Sequence, residues 1–506
     1  MSIALVTQPG WSLLRMCGFC GSAMGRIGVR RLAVIGMPKP SFLHNGAAVL
    51  VAGSLLFALL LAIAAPGASA QALGKGRQGA FMSGPLNLKD QGSFFVGGVP
   101  KTTMCAGSST AGANASIMIG QMYVQFQIPQ SWNPDQIKRG KYPVIMVHGS
   151  THTGAALEST PAFTEGWGPY FVRKGFPVFI VDQAGRGRSG FDESVIHEGE
   201  RLMLDGDVGG GSTLIPNFGR ITSNGAWTNW FGHLVTRGTC DTTTDILTGE
   251  LQPHGWAACD PSLPSVHPNP AGYGPTFPID VFDTGSVPGG SNAPPRLSPL
   301  ALFADSHFGP EPRGPARRYA LEYYKQLVPN AEVTLPGSVC LTCTPQNLSP
   351  ANTWTPFDLA LLVERIATKT GGAIVATHSQ SGIMGHHMLR HLTQRGHDDM
   401  LKGLITVEGG CSFAQSGLDA VDFDRIPYLA IKGDYTTTSP QCQESVDAIN
   451  ARRAAGFGTA FAEYIQLDDP KYNGAFNGVT HMMMDDRTAL KVADVMLNWG
   501  AQHITE

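Results

Sequence analysis

Eight short, β-rich apolar runs punctuated by Gly or Asp constrain this chain more than any single residue does. They are GSFFVGG (92–98), MYVQFQI (122–128), PVIMVHG (143–149), FPVFIVD (176–182), GAIVATH (372–378), KGLITVE (402–408), IPYLAIKGD (426–434) and AEYIQL (462–467). The later runs are almost continuously apolar, as expected of parallel strands buried on both faces, and helical patterns lie between them. Thr355-Pro356-Phe357-Asp358 reads as a helix start with a capping residue and a proline in the first turn, followed by Leu359, Leu362, Val363 and Ile366 at helical spacing. Val492, Val495, Met496 and Trp499 repeat that spacing near the end. Alternating strands and helices predict an α/β fold: a mostly parallel, doubly wound eight-stranded sheet with helices on both faces.

The regular alternation stops between about Phe191 and Pro350, where Gly, Pro, Ser and Asn dominate with one helical stretch near Arg317 to Val328. A structureless loop of that length is foreign to a compact domain, so an inserted cap is expected over 191–350, dividing the core into 71–190 and 351–506. Its aromatic residues, Trp227, Trp230, Phe231, Trp256 and Tyr273, read either as a binding surface or as a small satellite core.

Residues 1–70 carry five basic side chains, no acidic ones and the apolar run AAVLVAGSLLFALLLAIA, closed by Ala68-Ser69-Ala70. This is the pattern of a signal peptide cut near Gln71, with Met24 or Met37 as alternative starts and an uncleaved membrane anchor as the rival reading. A secreted or periplasmic protein is expected, without stable membrane insertion once the leader is removed. The whole chain of 506 residues has a formal charge of −3, and removing the leader takes this to about −8. No polycationic face is available for nucleic acid, and small neutral substrates fit better.

Seven of the nine cysteines follow the leader. Export permits disulfides, the odd number leaves one thiol free or paired with another chain, and a homodimer stays open. Cys105 is the candidate odd thiol, Cys240 and Cys259 are expected to hold the cap, and Cys340 and Cys343 to form a local bridge. Cys411 and Cys442, on loops leaving adjacent strands, are expected to pair.

The chemistry is concentrated where the strand GAIVATH runs directly into Ser379 and a helix bearing Met384, Met388 and Leu392 follows at once. A serine in such a turn stands exposed on strained backbone at the top of a sheet, and the flanking positions must be small. THSQSG departs from G-x-S-x-G at Thr377 and Ser381, and Ser381 is the rival nucleophile. An acyl-transfer site also needs oxyanion donors, expected from the backbone N–H of Gln380 and, after PVIMVHG, from those of Ser150 and Thr151. His481, between the last strand and the last helix, is the expected base, with His503 the other histidine late in the chain. Two acids compete to orient it: Glu408 after the sixth strand and Asp434 after the seventh.

THSQSG, VEGGC, KGD and THMMMDDR, together with GSFFVGG and VDQAGRGRSG, resemble a small group of secreted bacterial carboxylesterases of the α/β-hydrolase superfamily. The resemblance runs from about Gly92 to the end and thins across the cap. It implies the α/β-hydrolase fold, ester hydrolysis by two-step acyl transfer, and a Ser379, His481, Glu408 triad. It departs after His148-Gly149, where that group carries adjacent cysteines and this chain has Ser150 and Thr151. The mechanism so implied calls for no metal or organic cofactor, and the expected partner is a small-molecule ester. Amidase, C–C hydrolase and lyase activities share the fold, and a non-catalytic binding module is the rival of another class.

Two further motifs have plainer readings. Gly185, Gly187 and Gly190 match a dinucleotide fingerprint but read better as the turn leaving the fourth strand, beside Asp182. His387 and His391 lie one helical turn apart without the glutamate of a zinc helix.

Overall fold

The computed structural model describes residues 84–104, 115–161, 164–216, 218–221, 230, 323, 325–335, 353–433, 439–467, 469–473, 475–476, 479–486 and 488–504. The leader, most of the insertion, Asp434 and the cysteines at 105, 240, 259, 340 and 343 lie outside these residues.

Eight strands form one sheet: β1 (Leu88–Thr103), β2 (Ala115–Pro129), β3 (Val144–Val147), β4 (Val178–Asp182), β5 (Ala373–His378), β6 (Leu401–Val407), β7 (Tyr428–Lys432) and β8 (Ala462–Gln466). Their order across the sheet is β1-β2-β4-β3-β5-β6-β7-β8. β2 pairs antiparallel with β1 and β4, and every remaining pair is parallel. Strands β1 and β2 run well beyond the apolar segments that announced them, pairing from Leu88↔Pro129 to Thr103↔Ala115. Polar, half-exposed residues extend them because an antiparallel edge pair tolerates solvent on one face.

The helices are α1 (Trp167–Arg173), α2 (Ser194–Leu204), α3 (Val208–Leu214), α4 (Thr355–Thr370), α5 (Ser381–Gln394), α6 (Pro440–Ala454) and α7 (Ala489–His503); α1 and α7 cover one face of the sheet, α4, α5 and α6 the other, and α2 and α3 pack on each other. Side chains alternate along each strand, so Val144 and Met146 pack on one face with Trp167 and Phe171 of α1 and Val492, Met496 and Trp499 of α7. Ile145 and Val147 point the other way, into Leu359 and Leu362 of α4, Met388 and Leu392 of α5, and Val446 and Ile449 of α6. Such burial is worth roughly 1.5–3 kcal/mol for each large aliphatic side chain, and it forces the register of every central strand.

Two local expectations need correction. The helical pattern does not end at Phe191, because α2 and α3 follow; the glycine-rich VGGGSTL is helical, capped by Asp207, whose side chain accepts from the Gly210 N–H at 2.8 Å. Its glycines let the two helices touch, since a Cβ on Gly211 would stand 2.5 Å from the Gly199 carbonyl oxygen. The cap position of α4 is Trp354 and makes no side-chain capping bond, whereas the Thr355 hydroxyl accepts instead from the Ala184 N–H at 3.1 Å. Asp358, on the first turn, is buried with both carboxyl oxygens unpartnered, and that burial pushes its carboxyl well above the usual range. Cys411, after β6, is bonded to Cys442 of α6 with the Cα atoms 5.1 Å apart.

Candidate active site

The sheet delivers all the candidate residues but His481 from the ends of three of its central strands, β3, β5 and β6, and His481 comes from the loop between β8 and α7. Ser379 follows β5 directly and has φ of 57°, a left-handed backbone that a β-carbon makes costly. The turn is held by the Ser379 N–H donating to the Val407 carbonyl (2.9 Å) and by the Gly382 N–H donating to the Ser379 carbonyl (3.0 Å). Ser379 and Gln380 are part-exposed, while the seven residues before them and Ser381 after them are buried. Thr377 fits at the crowded flank because its hydroxyl donates to the Ile405 carbonyl at 3.1 Å and its methyl lies against Gly385 of α5.

The Ser379 Oγ is 2.9 Å from His481 Nε2, and His481 Nδ1 is 3.1 Å from Glu408 Oε2. Glu408 itself has φ of 53° and stands at the end of β6, its N–H donating to the Ile431 carbonyl at 2.8 Å. Burial pushes its carboxyl up, but the His481 hydrogen bond, the Lys432 charge and the Gly433 N–H outweigh that penalty and leave it below the ordinary carboxylate range. It is therefore a buried, ionised acceptor. The imidazole of His481 is fixed from its backbone: its N–H donates to the Trp230 carbonyl at 3.0 Å, and His378 Nε2 donates to its carbonyl at 2.8 Å. The Trp230 ring stacks over the imidazole with centroids 5.9 Å apart. Before it, the Thr480 N–H and hydroxyl donate to Asp486, closing the loop that carries the histidine.

The rival side chains have other surroundings. Ser381 is buried in α5, its hydroxyl accepting from the His378 N–H (2.9 Å) and facing the Val147 and His378 carbonyls. His503 stacks on Phe461 at 3.9 Å, at the end of α7. His391 edges against the Phe357 ring.

Of the expected oxyanion donors, Gln380 heads α5, so its N–H belongs to the unpaired amides of a helix N-terminus. The loop after β3 closes on the serine: a Cβ on Gly149 would stand 2.8 Å from the Ser379 Cβ, an approach only glycine permits. Ser150 follows it. Thr151, expected to offer a free N–H, does not, because that N–H donates to the Asn330 side-chain oxygen at 2.8 Å. Thr151 itself has φ of 56°, on left-handed backbone.

Sequence reasoning passed over four residues that hold the site: Arg186, Asn330, Glu332 and His378. Arg186 is wholly buried and sits in GRGRSG, a stretch that reads as a turn, and nothing in the local pattern signals a buried guanidinium. Asp182 accounts for the rest of that turn, accepting from the Gly154 N–H (2.7 Å) and from the backbone and guanidinium of Arg188. Trp230 was visible among the aromatic residues of the insertion, but its position over His481 was not.

Strand order, the reversed β3 and β4 order and the serine turn between β5 and α5 define the α/β-hydrolase fold, and this chain has it. A bacterial esterase of known atomic-resolution structure superposes with a TM-score of 0.53 and 24% identity, covering 83% of this chain and 98% of its own. Brefeldin A esterase, a bacterial homologue of human hormone-sensitive lipase, is a remoter likeness, at a TM-score of 0.27 and 11% identity over 88% of this chain and 87% of that one. In sequence, a probable secreted lipase, phiG, from a fungus (strain ATCC 74256) is 38% identical over 68 residues, which is 13% of this chain. The match spans only 17% of the length of that relative. No family model matches the chain.

Proposed function

We propose that the chain is a secreted serine hydrolase that cleaves carboxylic esters of small molecules by two-step acyl transfer. The observation that carries this reading is the continuous hydrogen-bonded line from the Ser379 hydroxyl through His481 to the buried, ionised Glu408, with the serine on left-handed backbone. A binding module has no need of that arrangement. His481 Nε2 takes the proton as the Ser379 Oγ attacks the ester carbonyl, and Glu408 stabilises the imidazolium so formed. The Gln380 and Ser150 N–H groups receive the negative charge that develops on the carbonyl oxygen. Collapse of the tetrahedral species expels the alcohol, which takes the proton from His481. Water then attacks the acyl-enzyme with the same base, releasing the acid and restoring Ser379.

The basic, apolar leader ending in Ala68-Ser69-Ala70 supports export, in keeping with the word secreted in the name of the fungal lipase. Substrate size is assigned to the insertion, whose Trp230 overlies His481. The test is steady-state turnover by the purified chain without its leader, on matched series of acyl esters and the corresponding anilides. Esters turned over with kcat/KM orders of magnitude above the anilides are expected. Anilide hydrolysis without ester hydrolysis would make the enzyme an amidase, and no turnover of either series would end the hydrolase reading.

A further inference from the structure

We propose that Arg186 is a positioning residue for the oxyanion donors and that Glu332, returning from the insertion, locks it in place. This rests on the serine hydrolase reading above and adds to it a part that neither the serine turn nor the triad contains.

Four hydrogen bonds leave the buried guanidinium. Nε and one Nη donate to the two Glu332 oxygens at 2.8 and 2.5 Å, a bidentate pair with side-chain exposures of 0% and 6%. The same Nη donates to the Gln380 side-chain oxygen at 2.6 Å, and the other Nη to the Gly149 carbonyl at 2.8 Å. Gln380 and Ser150 are the two residues whose N–H groups receive the oxyanion, so Arg186 touches both halves of the hole from behind.

Its grip on Gly149 has a specific consequence. The Gly149 carbonyl and the Ser150 N–H belong to one planar peptide unit and point in opposite directions. Arg186 and the Nδ1 of His148 (2.9 Å) both bind that carbonyl, which fixes the plane and leaves the Ser150 N–H directed away from them. Donors on a carbonyl also polarise its peptide group and strengthen the N–H as a donor. His148 stays neutral for this task, since burial and the Arg186 charge push it down to about 3, and its Nε2 accepts from the Gln183 N–H at 3.0 Å.

The loop is gripped from the side of the insertion as well. The Asn330 side chain donates to the Ser150 hydroxyl (3.0 Å) and accepts from the Thr151 N–H, while the Val328 N–H donates to the Thr151 carbonyl (2.9 Å). Glu332 lies two residues further on, and its close approach needs Gly185, where φ is 82° and a Cβ would stand 2.6 Å from the Glu332 Cα. A guanidinium this deeply buried requires a paired carboxylate, and Glu332 supplies it. The end of the insertion thereby sets the geometry of the oxyanion hole.

The experiment compares hydrolysis of an ester and its thionoester, which differs only in the atom that enters the hole, by wild-type protein, Arg186→Met, Arg186→Lys and Glu332→Gln. Removing one oxyanion donor typically costs on the order of 10²-fold in kcat. Arg186→Met is expected to lose about that much in kcat on the oxo ester with KM nearly unchanged, and its preference for oxygen over sulfur is expected to fall. Arg186→Lys, which can still reach the Gly149 carbonyl, should recover part of both, and Glu332→Gln should lie between wild type and Arg186→Met. Equal losses on the two esters would mark a merely structural role and overturn the proposal, as would unchanged kcat in folded variants. Should Arg186→Met fail to fold, Glu332→Gln decides by the same ratio. Wild-type protein inactive on the oxo ester would overturn the hydrolase reading itself, and that result is seen before any variant is made.

Discussion

A carboxylate that orients an imidazole must stay ionised where it is buried, and the surroundings of Glu408 supply that condition through His481, Lys432 and Gly433. Three of the four non-glycine residues with positive φ among the described residues, Thr151, Ser379 and Glu408, lie at this site. Each such residue costs on the order of 1–3 kcal/mol, and that strain is tolerated where the surrounding hydrogen bonds over-determine the backbone. Replacing the charge while keeping the shape isolates the role of the acid. Glu408→Gln is expected to fold and to lose up to about 10⁴-fold in kcat, as loss of the orienting acid does in serine triads, whereas Asp434→Asn should keep substantial activity. The reverse ranking in proteins of equal melting temperature would transfer the role to Asp434.

At the scale of elements, the parts written locally in the sequence were legible. Each of the eight strands was announced by an apolar run, and the serine turn by a strand, a serine and a helix in immediate succession. Of the candidate residues, Ser379 and Glu408 could be picked out because each follows a strand directly, and His481 because it lies between the last strand and the last helix. What was not legible depends on pairing between distant segments. Arg186 and Glu332 are 146 residues apart, and their partnership follows from where the insertion returns, which no local pattern encodes. Thr151 was misjudged for the same reason, its N–H being claimed by Asn330 from 179 residues away. The cap of α4 failed differently: Thr355 has the right chemistry, but its hydroxyl serves the β4 loop through Ala184. Glycine-rich α3 fell inside the segment read as lacking regular alternation, because the low helix propensity of glycine hid a packing contact visible only in three dimensions.

For the whole molecule, buried ionisable groups make stability depend on pH with two opposing signs. Burial lowers His148 to about 3, His152 to about 4 and His386 to about 3, and it lowers His378 as well. The unfolded chain takes up these protons below its ordinary value near 6.5 while the native state does not, so their contribution is complete above about 6.5 and is lost as pH falls. Burial raises Asp358 and Asp485 and lifts Asp486 to about 8, so the contribution of these carboxyls falls as pH rises through that region. A difference between proteins separates the signs. His386, on α5 with its Nε2 3.0 Å from the Tyr428 hydroxyl, has no part in the proposed chemistry. Relative to wild type, His386→Gln should gain up to about 1.4 kcal/mol for each pH unit below 6.5, measured by urea unfolding between pH 7 and 5. Parallel stability curves would show that His386 titrates normally. The central claim, that Ser379 is the nucleophile of a serine hydrolase, is tested most directly by mapping the residue that a fluorophosphonate modifies. Peptide mass spectrometry is expected to find one adduct per chain, on Ser379, and none in Ser379→Ala. An adduct on Ser381, an adduct persisting in Ser379→Ala, or an unmodified wild-type protein would contradict it.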